Sequence, residues 1–192
     1  MNNWLSPPLF SGVLFVTALA AASLTGALLL NGMDAVFGAL LAALALYVAT
    51  VDLNRFEIPD LGSLAILFLG LAWSLESYGI DFDVFTESGT RALLAAGLLF
   101  GVRTIYRMIR NIEGLGLGDV KLVGAGASWL SWSHLALALF IAAVAAILLV
   151  ILRSALTRER IQPRTAVPFG AFLAPAIWAA WVTQAGAFLP LM

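Results

Sequence analysis

Two aspartates lie at the ends of strongly apolar segments, and paired carboxyls are groups that can activate water. Asp52 ends an apolar run in "LYVATVDLNRFEIPD", and Asp119 begins another in "GLGLGDVKL". Ionisable groups at membrane depth are costly, so they usually face a bundle interior or a water-filled cavity. Two carboxyls brought together titrate as a coupled pair, in which one is ionised while the other keeps its proton. Such a pair can deprotonate a water for attack on a peptide carbonyl.

Each aspartate also has a plainer explanation, which the sequence leaves open. A span end is reachable by water, and an aspartate there can cap a helix. Asp119 is distinguished by the alternating glycines before it, Gly114, Gly116 and Gly118, which permit close approach of a neighbouring chain and positive φ angles. A partly unwound segment of this kind is tolerated at membrane depth where it is buried in protein or lines a wet cavity. Gly114 and Gly118 also form a small-xxx-small pair, as do residues of "GAGAS", which is typical of helix packing.

Few residues in this chain suit other kinds of catalytic chemistry. Cysteine is absent, which excludes disulfides, thiolate metal sites and thiol catalysis. There is no G-x-S-x-G elbow, and the single histidine, His134, fits a polar residue in an interfacial turn beside Trp129 and Trp132. The glycine spacing is not G-x-G-x-x-G, which argues against a dinucleotide-binding loop. We therefore expect no cofactor, no metal and no nucleic-acid partner.

The elements that must position the two acids are membrane helices. Hydrophobic residues make up 62% of the 192 residues and charged residues 11%, and the mean hydropathy is +1.00, far from the balance of a soluble domain. A span needs roughly 20 mostly apolar residues. We predict an all-α, polytopic helix bundle that forms a single domain over residues 1–192, with about seven spans and a range of six to eight. The predicted spans are 9–30, 34–51, 61–78, 90–107, 119–131, 134–152 and 167–189.

The charges predict which end of the bundle faces the cytoplasm. Nine of the ten basic residues lie on one predicted side: Arg55, Arg103, Arg107, Arg110, Lys121, Arg153, Arg158, Arg160 and Arg164. The opposite loops contain Asp34, Glu76, Asp81, Asp83 and Glu87, with Arg91 nearby. By the positive-inside rule, the basic side is cytoplasmic, both termini are outside, and both aspartates lie at the cytoplasmic membrane face. The start "MNNWLSPPLF" has no basic residue before its apolar run, so we interpret the first segment as a retained span.

Three motifs resemble those of the type IV prepilin peptidases and follow one another along the chain in the same order as in that family. "GLGLGDVKL" resembles their G-x-G-D-x-K-L signature, and "DLNRFEIPD" resembles their first aspartate followed by an Ile-Pro-Asp/Asn turn. "VPFGAFLAP" is similar to their Pro-Phe-Gly-Pro-Phe segment, with Ala171 in place of the second proline. The resemblance extends over roughly residues 40–180. It implies a membrane-embedded aspartic endopeptidase, or hydrolase, whose catalytic pair maps onto Asp52 and Asp119.

The resemblance also implies a substrate and a form of the enzyme. The substrate would be a type IV pilin, pseudopilin or preflagellin precursor, cut at the cytoplasmic face between a short basic leader ending in glycine and a hydrophobic helix. Bifunctional members carry an insert with paired cysteines that is linked to methylation, whereas here "NGMD" joins the first two predicted spans. We therefore expect a short form without the methyltransferase insert, which resembles members that serve tight-adherence pili or archaeal preflagellins. The sequence does not indicate which precursor is cut or the oligomeric state.

Residues around the three motifs are candidates for supporting the pair or contacting the leader. The supporting candidates are Gly116, Gly118, Lys121, Pro59, Asp60, Pro168, Phe169 and Gly170. Lys121 follows Asp119 by two positions, so on a helix it points roughly 200° away, and we interpret it as a headgroup anchor or a substrate contact. Pro59 and Asp60 fit the start of the third span. Pro168, Phe169 and Gly170 can reach under the pair from the last span. Glu57 and Glu113 could attract a basic leader.

Two other classes of protein remain as alternatives. A small proton- or ion-coupled transporter could use paired membrane acids as a relay. Against it, the chain has no second copy of "GLGLGD" or "DLNRFEIPD", and the acids lie near one edge of the membrane. A non-catalytic assembly protein would not need both aspartates. Presenilin-like proteins also use a G-x-G-D aspartate, but they pair it with Tyr-Asp and Pro-Ala-Leu motifs, whereas here Asp52 follows Val51.

Overall fold

The computed structural model describes residues 30, 32–77, 82–112, 114–157 and 167–187. All regular secondary structure in these ranges is helical: α1 is Met33–Arg55, α2 is Asp60–Ser77, α3 is Phe82–Arg110, α4 is Leu117–Ala127, α5 is Trp132–Thr157 and α6 is Gly170–Ala187. The predicted all-α fold is confirmed. The predicted span 9–30 lies almost wholly outside the described residues, as do both termini. The total of about seven spans, the single domain and the placement of the termini therefore stay predictions.

Four of these helices, α1, α2, α3 and α5, are long and apolar enough to cross a membrane. Their outer faces are apolar, which is the reverse of a soluble surface. In α3, Leu93 and Leu98 are 76% and 65% exposed, and in α5, Phe140 and Leu148 are 66% and 59% exposed. Extended apolar surfaces of this kind mark contact with lipid or another protein. Together with the helix lengths, they identify a membrane protein.

The predicted span 119–131 differs from the structure. It is the short helix α4, which has 11 residues and is followed by a turn. At a rise of 1.5 Å per residue such a helix is about 17 Å long, about half the thickness of the hydrocarbon core. α4 is instead surrounded by protein, because it contacts α2, α3, α5 and α6. Helix α3 also begins at Phe82 rather than near residue 90, so residues predicted as an acidic loop form its first turns.

Small residues allow α4 to lie in the centre of the bundle. A Cβ atom on Gly124 would lie 2.9 Å from Ala96 Cβ in α3, and one on Gly126 would lie 2.6 Å from Ile177 Cδ1 in α6. Small residues let helix backbones approach closely where there is no room for side chains. The packing role predicted for "GAGAS" is therefore confirmed for these two glycines.

The connection between α1 and α2 is short and well defined. Phe56 adopts a left-handed conformation with φ of 55°, and its N–H donates to the carbonyl oxygen of Asp52 at 2.8 Å. The carbonyl oxygen of Pro59 accepts the N–H of Ser63 at 3.1 Å, so α2 begins directly after the proline. Asp60 lies in the first turn of α2, where a negative charge complements the helix dipole. The predicted roles of Pro59 and Asp60 at this helix start are confirmed.

Candidate active site

A groove of about 1960 Å³ lies where α1 ends and where α2, α4 and α6 begin. Its walls come from three separate parts of the chain. Of the residues predicted from the motifs, the groove is lined by Asp52, Glu57, Pro59, Asp60, Gly116, Gly118, Asp119, Lys121 and Phe169. The structure therefore brings the two predicted acids to one groove, although they belong to different helices. Glu113 lies outside the described residues, so its predicted leader contact stays a prediction.

Asp52 is held by the start of α6. Its side chain lies near the end of α1 and is 4% exposed, and its Oδ2 accepts the backbone N–H of Ala171 at 2.8 Å. Ala171 is in the first turn of α6, where free N–H groups and the helix dipole favour a carboxylate. Gly170 is needed for this contact, because a Cβ there would lie 3.0 Å from Oδ2 of Asp52. Of the other residues of this motif, Phe169 lines the groove and Pro168 is buried.

Asp119 belongs to the first turn of α4 and bonds back to its start. The N-cap of α4 is Gly116, and its backbone N–H bonds to the Asp119 carboxylate in the manner of a capping box. Asp119 therefore caps the start of α4, as considered above, and also lines the groove. Asp119 lies outside the four membrane-spanning helices. Burial and the nearby Asp52 charge raise the pKa of Asp119 from 3.8 to about 6, whereas the Gly116 hydrogen bond lowers it.

The three glycines before Asp119 serve close approach, not positive φ. The positive φ angles that these glycines permit are not used, since Gly116 has φ of −68° and Gly32 alone among the described glycines has a positive φ. A Cβ on Gly114 would lie 2.5 Å from Tyr106 Cε1, and one on Gly118 would lie 2.8 Å from Ile58 Cβ. The segment before α4 is non-helical, as predicted, and helix α4 begins at residue 117.

Lys121 forms an ion pair that the sequence did not predict. Its Nζ lies 2.6 Å from Oδ1 of Asp60, and both side chains are at least half exposed. The pair joins α4 to α2 at the rim of the groove. The headgroup anchor and the substrate contact considered for Lys121 stay predictions beside this ion pair.

Three other contributions to the site were missed in the sequence. Arg103 donates from Nε to the carbonyl oxygen of Leu115 at 2.9 Å, and Tyr106 covers Gly114, so α3 holds the non-helical segment. Their spacing of three places both on one helix face, which is a signal that could have been used. Ile58, which contacts Gly118, has no such signal, because an apolar residue in a short loop has nothing unusual in its sequence.

Comparison with known proteins identifies the family of this chain. Residues 39–151, which include both aspartates, match the type IV leader peptidase family. The prepilin leader peptidase/N-methyltransferase of Burkholderia pseudomallei (strain 1026b) is 34% identical over 166 residues, which are 86% of this chain and 50% of that protein. Leader peptidase HopD of Escherichia coli is 32% identical over 146 residues, which are 75% of this chain and 92% of that protein.

A third relative has the same name as the Burkholderia protein. The prepilin leader peptidase/N-methyltransferase of Klebsiella pneumoniae is 30% identical over 72% of this chain and 56% of its own length. The chain thus spans about half the length of the two relatives named as methyltransferases, and most of HopD. No solved structure matches the chain. The matched range and these relatives show that the chain belongs to the type IV leader peptidase family, a family of aspartic proteases.

Proposed function

We propose that this chain is an endopeptidase that removes the leader from type IV prepilin-like precursors, with Asp52 and Asp119 as its catalytic residues. The observation that carries the proposal is the placement of these two carboxyls, from α1 and α4, in one large groove. Membership of a leader peptidase family supports the reaction class. The names of the relatives support a prepilin-like substrate.

The two carboxyls can hydrolyse a peptide bond when they share one proton. The ionised member accepts a proton from a water molecule, and the water oxygen attacks the carbonyl carbon of the scissile bond. The protonated member donates a hydrogen bond to the carbonyl oxygen, where negative charge develops. The C–N bond then breaks, the departing amine takes the proton that the first carboxylate had accepted, and the other product is released as a carboxyl group. The raised pKa of Asp119, about 6, supports a proton on the pair in mildly acidic solution. The Ala171 N–H supports this arrangement by fixing the orientation of the Asp52 carboxyl.

The groove lies at the basic end of the bundle, which we propose faces the cytoplasm in the inner membrane. Three arginines, Arg103, Arg107 and Arg110, lie in the last turns of α3 beside the groove, and acidic residues lie in the first turns of α1 and α3 at the other end. Basic residues close to span ends favour the cytoplasmic side. On this orientation the groove meets a precursor leader before it is translocated.

We also propose that the chain acts without the methyltransferase activity named for two of its relatives. This proposal is supported by the absence of cysteine and by the short "NGMD" link between the first two predicted spans. HopD, which is named a leader peptidase alone, is matched over 92% of its length.

The transporter alternative has no observation in its favour. The relatives reported above are named as peptidases, and both acids lie at one end of the bundle rather than near its midpoint. A non-catalytic assembly role is separable by experiment, because it does not require the two carboxyls.

The test is cleavage of a purified precursor that has a basic leader ending in glycine before a hydrophobic helix. We expect Asp52→Asn and Asp119→Asn each to reduce the rate by about 10³-fold or more, since each removes one half of the acid–base pair. Glu87→Gln, a change of an exposed acid at the other end of the bundle, is the matched control and should retain activity. Cleavage that persists in either aspartate variant at equal membrane levels would overturn the assignment of the pair.

Leader recognition can be tested at the rim of the groove. Glu57 is exposed and lines the groove, so a charge there can attract a basic leader. We expect Glu57→Lys to raise KM at low salt by about threefold or more and to have little effect at about 1 M salt, where charges are screened. Glu76→Lys reverses an exposed acid at the other end and should leave KM unchanged. Equal effects of the two variants would rule out local attraction by Glu57.

A further inference from the structure

Ile58 occupies the space between the two segments that hold the aspartates. A Cβ on Gly118 would lie 2.8 Å from Cβ and 3.3 Å from Cγ1 of Ile58. A Cβ on Gly170 would lie 2.6 Å from Cδ1 and 2.7 Å from Cγ1 of the same side chain. Gly118 directly precedes Asp119, and Gly170 directly precedes Ala171, whose N–H bonds to Asp52. One side chain therefore touches the backbone beside each of the two carboxyl sites.

The backbone around Ile58 makes it a stiff spacer. The following residue is Pro59, which restricts Ile58 to extended conformations. The loop is fixed at both ends, by the hydrogen bond from Phe56 to Asp52 and by the one from Ser63 to Pro59. A β-branched side chain has few accessible χ1 rotamers. Neither the loop nor the side chain can easily move away from the helix ends that it touches.

We propose that Ile58 is a positioning residue that sets the separation of the Asp52 and Asp119 carboxyls by holding the starts of α4 and α6 apart. The inference rests on the proposed function for its effect on catalysis, but its structural part can be measured without activity. The separation matters because the two acids must share one proton and act on one water. A displacement of about 1 Å at a reacting group can cost about 10²-fold in rate.

Replacing Ile58 should therefore change the rate more than substrate binding. We expect Ile58→Ala to lower kcat by about 10- to 100-fold with little change in KM. The pH profile of kcat should shift as well, because the coupling of two carboxyls depends on their distance. Ile58→Val keeps the β-branch and loses only Cδ1, so its effect should be smaller. A role in folding alone would lower the amount of active enzyme without shifting the pH profile.

The contact distances predict which glycine variant Ile58→Ala can rescue. Ile58→Ala removes Cγ1 and Cδ1, the two atoms nearest to a side chain on Gly170, but leaves its 3.0 Å contact with Asp52 Oδ2, so it should restore the activity of Gly170→Ala only in part. It keeps Cβ, the atom nearest to a side chain on Gly118, so it should restore Gly118→Ala much less. Two further variants are matched controls. Gly97→Ala has nothing within 4 Å and should be active alone, and Gly126→Ala meets Ile177, so Ile58→Ala should not rescue it.

A cross-linking experiment measures the spacing without relying on catalysis. The chain has no cysteine, so Asp52→Cys/Asp119→Cys contains only the two thiols of interest. Bifunctional thiol reagents of increasing length then report which span joins the two positions. We expect the preferred span to become shorter when Ile58→Ala is added, because the helix starts are no longer held apart.

The outcomes separate this inference from the proposed function. A shifted cross-linking span with a lower kcat and rescue of Gly170→Ala would support the positioning role. If Ile58→Ala keeps the wild-type span, kcat and pH profile, Ile58 does not set the spacing, whether or not the protein cleaves prepilins. If Asp52→Asn still cleaves, the proposed function fails, and the cross-links alone decide the spacing. Should Ile58→Ala not reach the membrane, Ile58→Val with the same reagents decides the question.

Discussion

The two ends of the helix bundle both bury polar side chains among apolar helices, but they satisfy these groups differently. At the end opposite the groove, polar groups bond to one another across helices. Oε1 of Gln184 accepts the N–H of Ser131 at 2.8 Å, and Nε2 donates to the carbonyl oxygen of Trp129 at 3.1 Å. The indole Nε1 of Trp129 donates to the carbonyl oxygen of Ile66 at 2.8 Å. These bonds join the turn after α4 to α2 and α6.

Charged groups at this end also have hydrogen-bond partners in the protein. Arg91 donates to Glu87 at 2.7 Å, to Ser88 Oγ at 3.1 Å and to the carbonyl oxygen of Ala127 at 3.3 Å. His134 lies in the first turn of α5 rather than in the interfacial turn predicted for it, and its imidazole bonds to the Ser131 hydroxyl at 2.8 Å. The cavity here is about 270 Å³, against about 1960 Å³ at the groove.

At the groove end, the donors to the two acids are backbone N–H groups at helix starts. Ala171 donates to Asp52 and Gly116 donates to Asp119, and both carboxyls line an open groove. At the opposite end, the oxygen and the nitrogen of the Gln184 amide both have partners, whereas a carboxyl held from one side can still bind water or substrate. Burial alone therefore does not distinguish function from structure in this bundle. The distinguishing feature is a buried polar group that also faces an open groove.

The largest effect on stability is expected at the end opposite the groove. Trp129 is fully buried, stacks on Trp73 with ring centroids 5.7 Å apart, and meets Trp181 edge to face at 5.4 Å. We expect Trp129→Ala to lower the free energy of unfolding by about 3 to 5 kcal/mol. Below its melting temperature, kcat should stay near the wild-type value. Thermal unfolding in detergent and the cleavage rate of the folded fraction measure the two quantities.

The control for this variant is a tryptophan at the same end. Trp132 is 51% exposed, so Trp132→Ala should have a much smaller effect on unfolding. The division between the two ends would break down if Trp129→Ala lowered kcat without lowering the melting temperature.

The buried carboxyl of Asp119 is expected to cost stability at neutral pH. Because the pKa of Asp119 is raised from 3.8 to about 6, the folded protein holds a proton in this range that the unfolded chain has released. The associated stability is fully present below about pH 4 and is lost as pH rises through 6. Asp119→Asn should therefore be more stable than wild type by about 1 kcal/mol at pH 7, and the gain should disappear near pH 4.

Melting temperatures measured in detergent between about pH 4 and about pH 8 test this sign. Glu87→Gln, which changes a 69% exposed side chain at the other end, should show no such pH-dependent gain. A gain that is independent of pH, or a loss at pH 7, would mean that ionised Asp119 does not oppose folding. Such a loss of stability at a residue needed for activity is common where a site keeps buried charges.

The two acids were predictable because the physical cost of a membrane carboxyl is visible in the sequence. Asp52 and Asp119 each interrupt an apolar pattern, and the motifs around them supplied the order in which they occur. The apolar segments likewise predicted the described helices, with differences at their ends. The span predicted at 119–131 was already short, but hydropathy did not show that α4 is enclosed by other helices, because a buried helix and a spanning helix have the same composition. A helix surrounded by other helices need not cover the whole membrane thickness, since protein can bond to its ends.

Contacts that depend on how helices pack could not be predicted in the same way. The pairing of Lys121 with Asp60 follows from α4 lying against α2, and the position of Ile58 follows from three helix ends meeting at one loop. Neither is a property of local spacing. The conformation of the glycines before Asp119 is a similar case. Glycine allows both positive φ and close approach, and only the neighbouring side chains, such as Tyr106 over Gly114, decide between them.

The smallest effect is expected for the ion pair at the rim of the groove. Lys121 and Asp60 lie 2.6 Å apart, but their side chains are 50% and 68% exposed, so water and salt screen the pair. A double-mutant cycle with Lys121→Met and Asp60→Asn should give a coupling energy of about 0.5 kcal/mol that vanishes at about 1 M salt. If all of this energy were lost from the transition state, the activation free energy would rise by about 0.5 kcal/mol. The cleavage rate should therefore change by about threefold or less.

This cycle sharpens the contrast between the two ends, because the opposite end has a matched pair. Glu87 and Arg91 lie 2.7 Å apart, and the Arg91 side chain is only 16% exposed and has further hydrogen bonds. Breaking that pair should cost more stability than breaking the rim pair, and it should cost no activity. A loss of about 10²-fold in cleavage by folded Lys121→Met would show that Lys121 acts on the substrate or the acids. In that case the rim belongs to the functional part of the groove, since a screened ion pair cannot account for an effect of that size.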